Sequence, residues 1–173
     1  MILLRHTRPA VAEGVCYGRT DLDLAPCFAA QAARLTAELP AVAAVVTSPL
    51  SRCRRLAEAI ATARDLPLTT EARLIEIDFG RWEGLAWDAI PRAEIDAWAA
   101  DLLHARPHGG ETVAELTARS RAALVDLARG PRPVLAVTHA GVIKAARAAR
   151  HGPDAWHAPL SFGMWDVLED PGL

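Results

Sequence analysis

The sequence predicts an α/β fold: a wound, mostly parallel sheet with helices on both faces and a small cap segment. Three observations lead there. Short apolar runs rich in β-branched residues recur at Met1–Leu4, Val42–Val46 and Val134–Val137, and none alternates apolar with polar residues, the pattern of parallel strands covered on both faces. Helical periodicity fills the intervals between them. The chain has 173 residues, 51% hydrophobic and 23% charged, enough for one core, and without repeats or low-complexity linkers residues 1–173 are expected to form one domain.

The first strand, Met1–Leu4, runs into Arg5-His6-Thr7-Arg8. A helix is expected where Ala25, Phe28, Ala29, Ala32 and Leu35 share one face. The second strand leads into Thr47-Ser48-Pro49-Leu50-Ser51-Arg52. There Ser48 has the character of an N-cap followed by proline at the first helical position, and Cys53, Leu56, Ala57, Ile60 and Ala61 continue the helix. Glu71–Arg106 is less regular, broken by Gly80, Gly84 and Pro91 and carrying Trp82, Trp87 and Trp98. It is expected to cap the sheet edge and to end in a helix near Asp88–Leu103. Thr112 and Glu115 have capping-box spacing and open a helix through Val113, Leu116, Ser120, Ala123, Leu124 and Leu127, which Gly130-Pro131 stops. A further strand ends in Thr138-His139-Ala140-Gly141, and a last one is expected at Phe162–Leu168.

Charge excludes some functions. The 21 acidic and 19 basic residues give a net charge of −2, and Lys144 is the only lysine among arginines scattered along the chain. No basic block marks a nucleic-acid or membrane-surface binder. No apolar run approaches the roughly 20 residues that cross a bilayer. Cys16, Cys27 and Cys53 show no CxxC spacing and the start is not signal-like, so a reducing, cytoplasmic setting is expected.

In wound sheets ligands sit beyond the carboxyl ends of the strands. There the sequence gathers Arg5, His6, Arg52 and His139 with two helix starts, near Pro49 and Ala140. Guanidinium forks and helix N-termini both match phosphate oxygens, so the edge suits a phosphoryl group. A neutral imidazole is a competent nucleophile at neutral pH, and arginines with helix-end N–H groups can stabilise the charge of a phosphoryl transition state without a metal. A metallohydrolase built on His6 and His139 is disfavoured, because the arginines would repel a cation.

The runs Leu4-Arg5-His6-Thr7, Ser48-Pro49-Leu50-Ser51-Arg52, Leu74 to Gly84 (LIEIDFGRWEG), Gly109-Gly110-Glu111-Thr112 and Thr138-His139-Ala140-Gly141 occur in the order seen in the histidine phosphatase (phosphoglycerate mutase-like) superfamily. The chain resembles that superfamily over nearly its whole length. Gly14 to Asp21 (GVCYGRTD) and the FGRWEG run look most like its small α-ribazole phosphatase-type members. The resemblance implies that His6 becomes phosphohistidine, that Arg5, Arg52 and His139 line the phosphate pocket, and that Glu76 is the proton donor; the charge of a phosphoryl transition state leads us to expect His139 protonated. It also implies a small phosphomonoester substrate, α-ribazole 5′-phosphate foremost, with no cofactor and no metal. Ala140, Tyr17, Arg19 and Glu111 are the further expected substrate contacts. Thr7 departs from the glycine usual after the nucleophile, and Cys53 and Leu56 replace residues that are commonly Ala and Thr. Two other readings stay open: phosphoglycerate mutase-type transfer, and a catalytically quiet binding module on the same fold, for which Thr7 is the hint. His104, His108, His151 and His157 are expected in surface or turn positions without a role. Trp82 and Trp87 are expected to pack, and Cys16 to be a small buried residue.

Overall fold

The computed structural model describes residues 1–169. Five strands form one sheet in the order β3-β2-β4-β1-β5. They are β1 (Ile2–Arg5), β2 (Ala44–Thr47), β3 (Leu68–Thr70), β4 (Val134–Thr138) and β5 (Trp165–Val167). The first four run parallel, and β5 closes the edge antiparallel to β1. Five α-helices connect them: α1 (Phe28–Glu38), α2 (Ser51–Arg64), α3 (Arg92–Ala100), α4 (Val113–Leu127) and α5 (Ala140–His151).

The apolar strand runs have their explanation in two cores. On one face Ile2, Leu4, Val45, Leu135 and Val137 pack with Ala32 and Leu35 of α1 and with Cys53, Leu56 and Ile60 of α2. On the other, Leu3, Val46, Val134 and Ala136 pack with Leu116 and Leu124 of α4 and with Val142 and Ile143 of α5. Successive strand residues feed opposite cores, so no position is left for a polar residue. The neighbours β1 and β4 send their following helices to opposite faces, α1 to one and α5 to the other. Such a divergence opens a crevice at the carboxyl ends of the strands, where His6 and His139 lie.

Several boundaries differ from expectation for identifiable reasons. Helix α2 starts at Ser51, with Leu50 rather than Ser48 at the N-cap. Its cap comes from far away: the Asp21 carboxylate accepts from Ser51 N and Ser51 Oγ, both at 2.8 Å. The helix expected over Asp88–Leu103 is a 3₁₀ turn at Trp87–Ala89 followed by α3, because Pro91 ends one and precedes the other. Helix α1 begins at Phe28, β2 at Ala44, and β5 is confined to Trp165–Val167 behind a turn at Phe162-Gly163, where Gly163 has φ +72°. Strand β3 carries no apolar pattern. It is an edge strand of three residues, with only Leu68 half-buried, held by pairing to β2. The Thr112–Glu115 capping box forms in full.

The segment before α4 does form a cap. Phe79, Trp82, Trp87, Trp98 and His108 pack together, edge-to-face for Trp82–His108, Trp82–Trp98 and Trp82–Trp87 with ring centroids 4.9–6.1 Å apart, and stacked for Trp87–Trp98 at 6.4 Å. Trp82 and Cys16 are buried in this cluster as expected. His108 departs from its expected surface position: it is 1% exposed, and its Nδ1 accepts from Gly110 N at 3.0 Å.

Candidate active site

A cavity of about 650 Å³ opens at the carboxyl ends of β1 and β4. His6 and Arg5 form part of its floor, Glu76 and Tyr17 its sides, and Trp87 and Trp98 a wall contributed by the cap. Arg52 and His139 are fully buried and do not line it; His139 lies behind His6, with ring centroids 5.2 Å apart.

His6 follows β1 directly, and its backbone N–H still pairs with Thr138 of β4 at 3.0 Å. Its ring Nδ1 lies 2.7 Å from the Thr7 carbonyl. A carbonyl only accepts, so Nδ1 carries the proton and Nε2 presents its lone pair. Burial, then the Arg52 charge and more weakly that of Arg5, hold this imidazole well below its ordinary pKa, against the Thr7 hydrogen bond, which favours the cation. His6 is therefore a neutral imidazole of fixed tautomer at neutral pH, as nucleophilic attack requires.

The guanidinium of Arg52 is steered by a loop. Its Nη1 donates to the Thr20 carbonyl at 2.8 Å and its Nη2 to the Gly18 carbonyl at 2.6 Å, while Tyr17 lies beneath it with the ring centroid 5.3 Å away. Arg5 stacks 3.9 Å above Phe162 and donates to the Leu160 carbonyl. Arg5 Nε, Arg52 Nε and Thr7 Oγ1 are buried and make no hydrogen bond within the protein. Buried donors without a partner are rare and costly, and these three belong to His6's chain neighbours Arg5 and Thr7 and to Arg52, whose charge acts on its ring.

His139 packs edge-on to His6, with centroids 5.2 Å apart, and its Nε2 lies 2.7 Å from Ser48 Oγ. Burial, His6 and the nearby arginines lower its pKa well below the ordinary value. Burial and the surrounding positive groups therefore disfavour in the free site the protonated His139 expected from sequence. Glu76 is the only carboxylic acid among the residues lining the cavity. Its oxygens accept from Ile77 N at 3.0 Å and from Gly141 N, in the first turn of α5, at 3.1 Å. The carboxylate comes so close that a Cβ at Gly141 would meet Glu76 Oε1 at 2.2 Å.

Ala140 and Tyr17 line the cavity; Arg19 and Glu111 do not. Arg19 Nη2 donates to Glu111 at 3.3 Å, and Glu111 takes two further bonds from Arg119 at 2.6 and 2.8 Å. Arg119 in turn donates to the carbonyls of Arg73, Ile75 and Glu76 at 2.6, 2.6 and 3.0 Å. Opposite charges nearby have claimed both side chains, and they hold the segment carrying Glu76. Sequence reading gave no role to Trp156, His157 and Lys144, which the cavity includes. Lys144 had a usable signal: it lies three residues after Gly141 on one helix, a spacing that shares a face. Trp156 and His157 reach the site only through packing of the turn after α5.

The profile of the histidine phosphatase superfamily (branch 1) matches residues 1–163. The chain belongs to the histidine phosphatase superfamily. It is 31% identical over 182 residues to the glucosyl-3-phosphoglycerate phosphatase of Mycolicibacterium vanbaalenii, covering 95% of this chain and 79% of that protein. It is 38% identical over 102 residues to the "probable phosphoglycerate mutase GpmB" of Klebsiella pneumoniae, covering 55% of this chain. The match takes in 46% of that relative, so the chain spans about half the length of the mutase relatives it matches. The structure of the α-ribazole phosphatase from Shigella flexneri superposes with a TM-score of 0.82 at 26% identity, covering 97% of this chain and 90% of that one. Among the described residues no helix is long and apolar enough to cross a membrane.

Proposed function

We propose that this member of the superfamily is a metal-independent phosphomonoester hydrolase acting through phosphohistidine at His6. The observation that carries the proposal is His6 on the cavity lining with Arg5 and Glu76, its Nδ1 held at the Thr7 carbonyl and its ring under the charge of Arg52 and Arg5, while Arg5 Nε, Arg52 Nε and Thr7 Oγ1 have no partner within the protein. In the first step Nε2 attacks phosphorus and the P–O bond to the alcohol breaks, with the Glu76 carboxyl giving its proton to the leaving oxygen. In the second, Glu76 takes a proton from water as water attacks the phosphohistidine, and orthophosphate leaves. Arg5 and Arg52 stabilise charge on the equatorial oxygens. His139, neutral in the free site, gains a reason to protonate once a dianion adjoins it.

For the substrate we propose a small phosphomonoester with a flat apolar leaving group, α-ribazole 5′-phosphate being the candidate. Trp87, Trp98, Phe79 and Trp156 offer ring faces along the cavity. The polar contacts to such a substrate come from Tyr17, Lys144 and His157 rather than from Arg19 and Glu111.

Rapid quench with a labelled phosphate ester tests the mechanism. Base-stable, acid-labile label should map to the His6 peptide and vanish in His6→Ala; full activity in His6→Ala refutes it. Comparing catalytic efficiencies on α-ribazole phosphate, 3-phosphoglycerate and phosphotyrosine peptides tests the substrate. A tenfold lead by either of the last two would overturn that part alone.

A further inference from the structure

The two segments that most resemble α-ribazole phosphatases, Cys16 to Asp21 and Phe79 to Gly84, each send one side chain, Tyr17 and Phe79, to the cavity, and otherwise meet each other. Glu83 is the joint. Its Oε1 accepts from Arg19 N at 2.8 Å and Phe79 N at 3.1 Å, and its Oε2 from Thr20 N at 2.7 Å and from the Thr20 hydroxyl. Burial opposes the charge on Glu83, yet the bonds from Thr20, Arg19 and Phe79 outweigh it and hold the carboxyl below its ordinary pKa. The loop so held is pressed onto the segment that carries Glu76: a Cβ at Gly18 would lie 1.9 Å from the Ile77 carbonyl oxygen and 2.9 Å from Glu83 Oε1. On its other side the same loop presents the Gly18 and Thr20 carbonyls to Arg52.

We infer that Glu83 is a positioning residue for phosphoryl transfer: by clamping the Gly18–Thr20 loop from the cap, it sets the direction in which the Arg52 guanidinium faces the phosphoryl group. The inference rests on the hydrolase reading above. Glu83 lines no part of the cavity and touches none of the groups assigned to the reaction. Its influence runs through two carbonyls. A guanidinium is a rigid fork, so pinning both Nη atoms fixes the direction of Nε–H, the donor left without a protein partner. Gln at position 83 would turn an NH2 group toward backbone N–H donors on one side of the clamp and lose at least that pair of bonds. Lys at position 52 has a single nitrogen and cannot grip both carbonyls, so it should be insensitive to the aim of the loop.

The test is a double-mutant cycle on kcat for an aryl phosphate, with thermal melts of every variant. Glu83→Gln alone should lower kcat about tenfold or more, the size of losing a charged hydrogen bond. In the Arg52→Lys background it should lower kcat by no more than about threefold further, because directly coupled residues are non-additive. An equal, additive loss in both backgrounds overturns the inference, since it would show a role independent of Arg52. If Glu83→Gln does not fold, Thr20→Val at the exposed loop tip removes only the hydroxyl from the clamp. It should then lower kcat by about threefold in wild type and leave Arg52→Lys unchanged; no loss in wild type overturns the inference. A wild-type protein that hydrolyses no phosphomonoester would refute the hydrolase reading instead.

Discussion

Gly141→Ala isolates the contribution of Glu76 without touching its side chain. Gly141 lies in the first turn of α5 with no positive φ, so the backbone accepts alanine, and intrinsic helix propensity favours it by about 0.8–1 kcal/mol. The added Cβ would sit 2.2 Å from Glu76 Oε1 and 3.0 Å from Leu116 Cδ2. Comfortable contact at carbon is about 3.5 Å, so the carboxylate must withdraw by roughly 1.3 Å, stretching or breaking its bond from Gly141 N. Displacing a catalytic group by about 1 Å costs on the order of a hundredfold, within the 10²–10⁴ range of general acid catalysis. The assay compares kcat on an alkyl phosphate, whose leaving group needs the proton, with kcat on 4-nitrophenyl phosphate, whose leaving group does not. The alkyl ester should slow about a hundredfold and the aryl ester only a few-fold, with the thermal midpoint within a few degrees of wild type. Glu76→Gln should show the same selectivity, and adding Gly141→Ala to it should change little more. Equal losses on both esters, or an undiminished alkyl rate, would show that the proton comes from elsewhere.

Arg52→Ala and His139→Ala should each lower turnover by about a hundredfold or more while melting near wild type; retention of more than about a third of activity by either would remove it from the phosphoryl pocket. Stability should fall on acidification. Folded pKa values of His6 and His139 lie below the unfolded value of about 6.5, so below that pH the unfolded chain binds more protons. Each then costs up to about 1.4 kcal/mol per pH unit until its folded pKa is passed. Thermal midpoints measured from pH 7.5 to 5.5 should decline, less steeply in His6→Asn; a flat profile in wild type would contradict the buried, neutral assignment.

Parallel strands were legible because residues covered on both faces must be apolar at every position, a local signature that Ile2–Leu4 and Val134–Val137 carry. The strand ends bearing His6, Arg52 and His139 were equally legible, since in a wound sheet chain order alone puts them on one edge. The capping box at Thr112 is local chemistry and formed as expected. What failed was decided over distance. Strand β3 exists because β2 offers an edge, and the start of α2 depends on Asp21, 30 residues away along the chain. Arg19 and Glu111 carry the residue types of substrate contacts, and in this structure they pair with opposite charges and stand outside the cavity lining, a placement no local pattern encodes. His108 looked like a turn residue and lies buried among Trp82 and Phe79. Sequence alone determined the fold class and the placement of His6, Arg52 and His139 after strand ends on one edge of the sheet, because both follow from periodicity and order. The aim of Arg52, the tautomer of His6, the nearness of Glu76 to Gly141 and the aromatic wall were decided by tertiary structure, because each depends on contacts between segments whose separation along the chain carries no record of their distance in space.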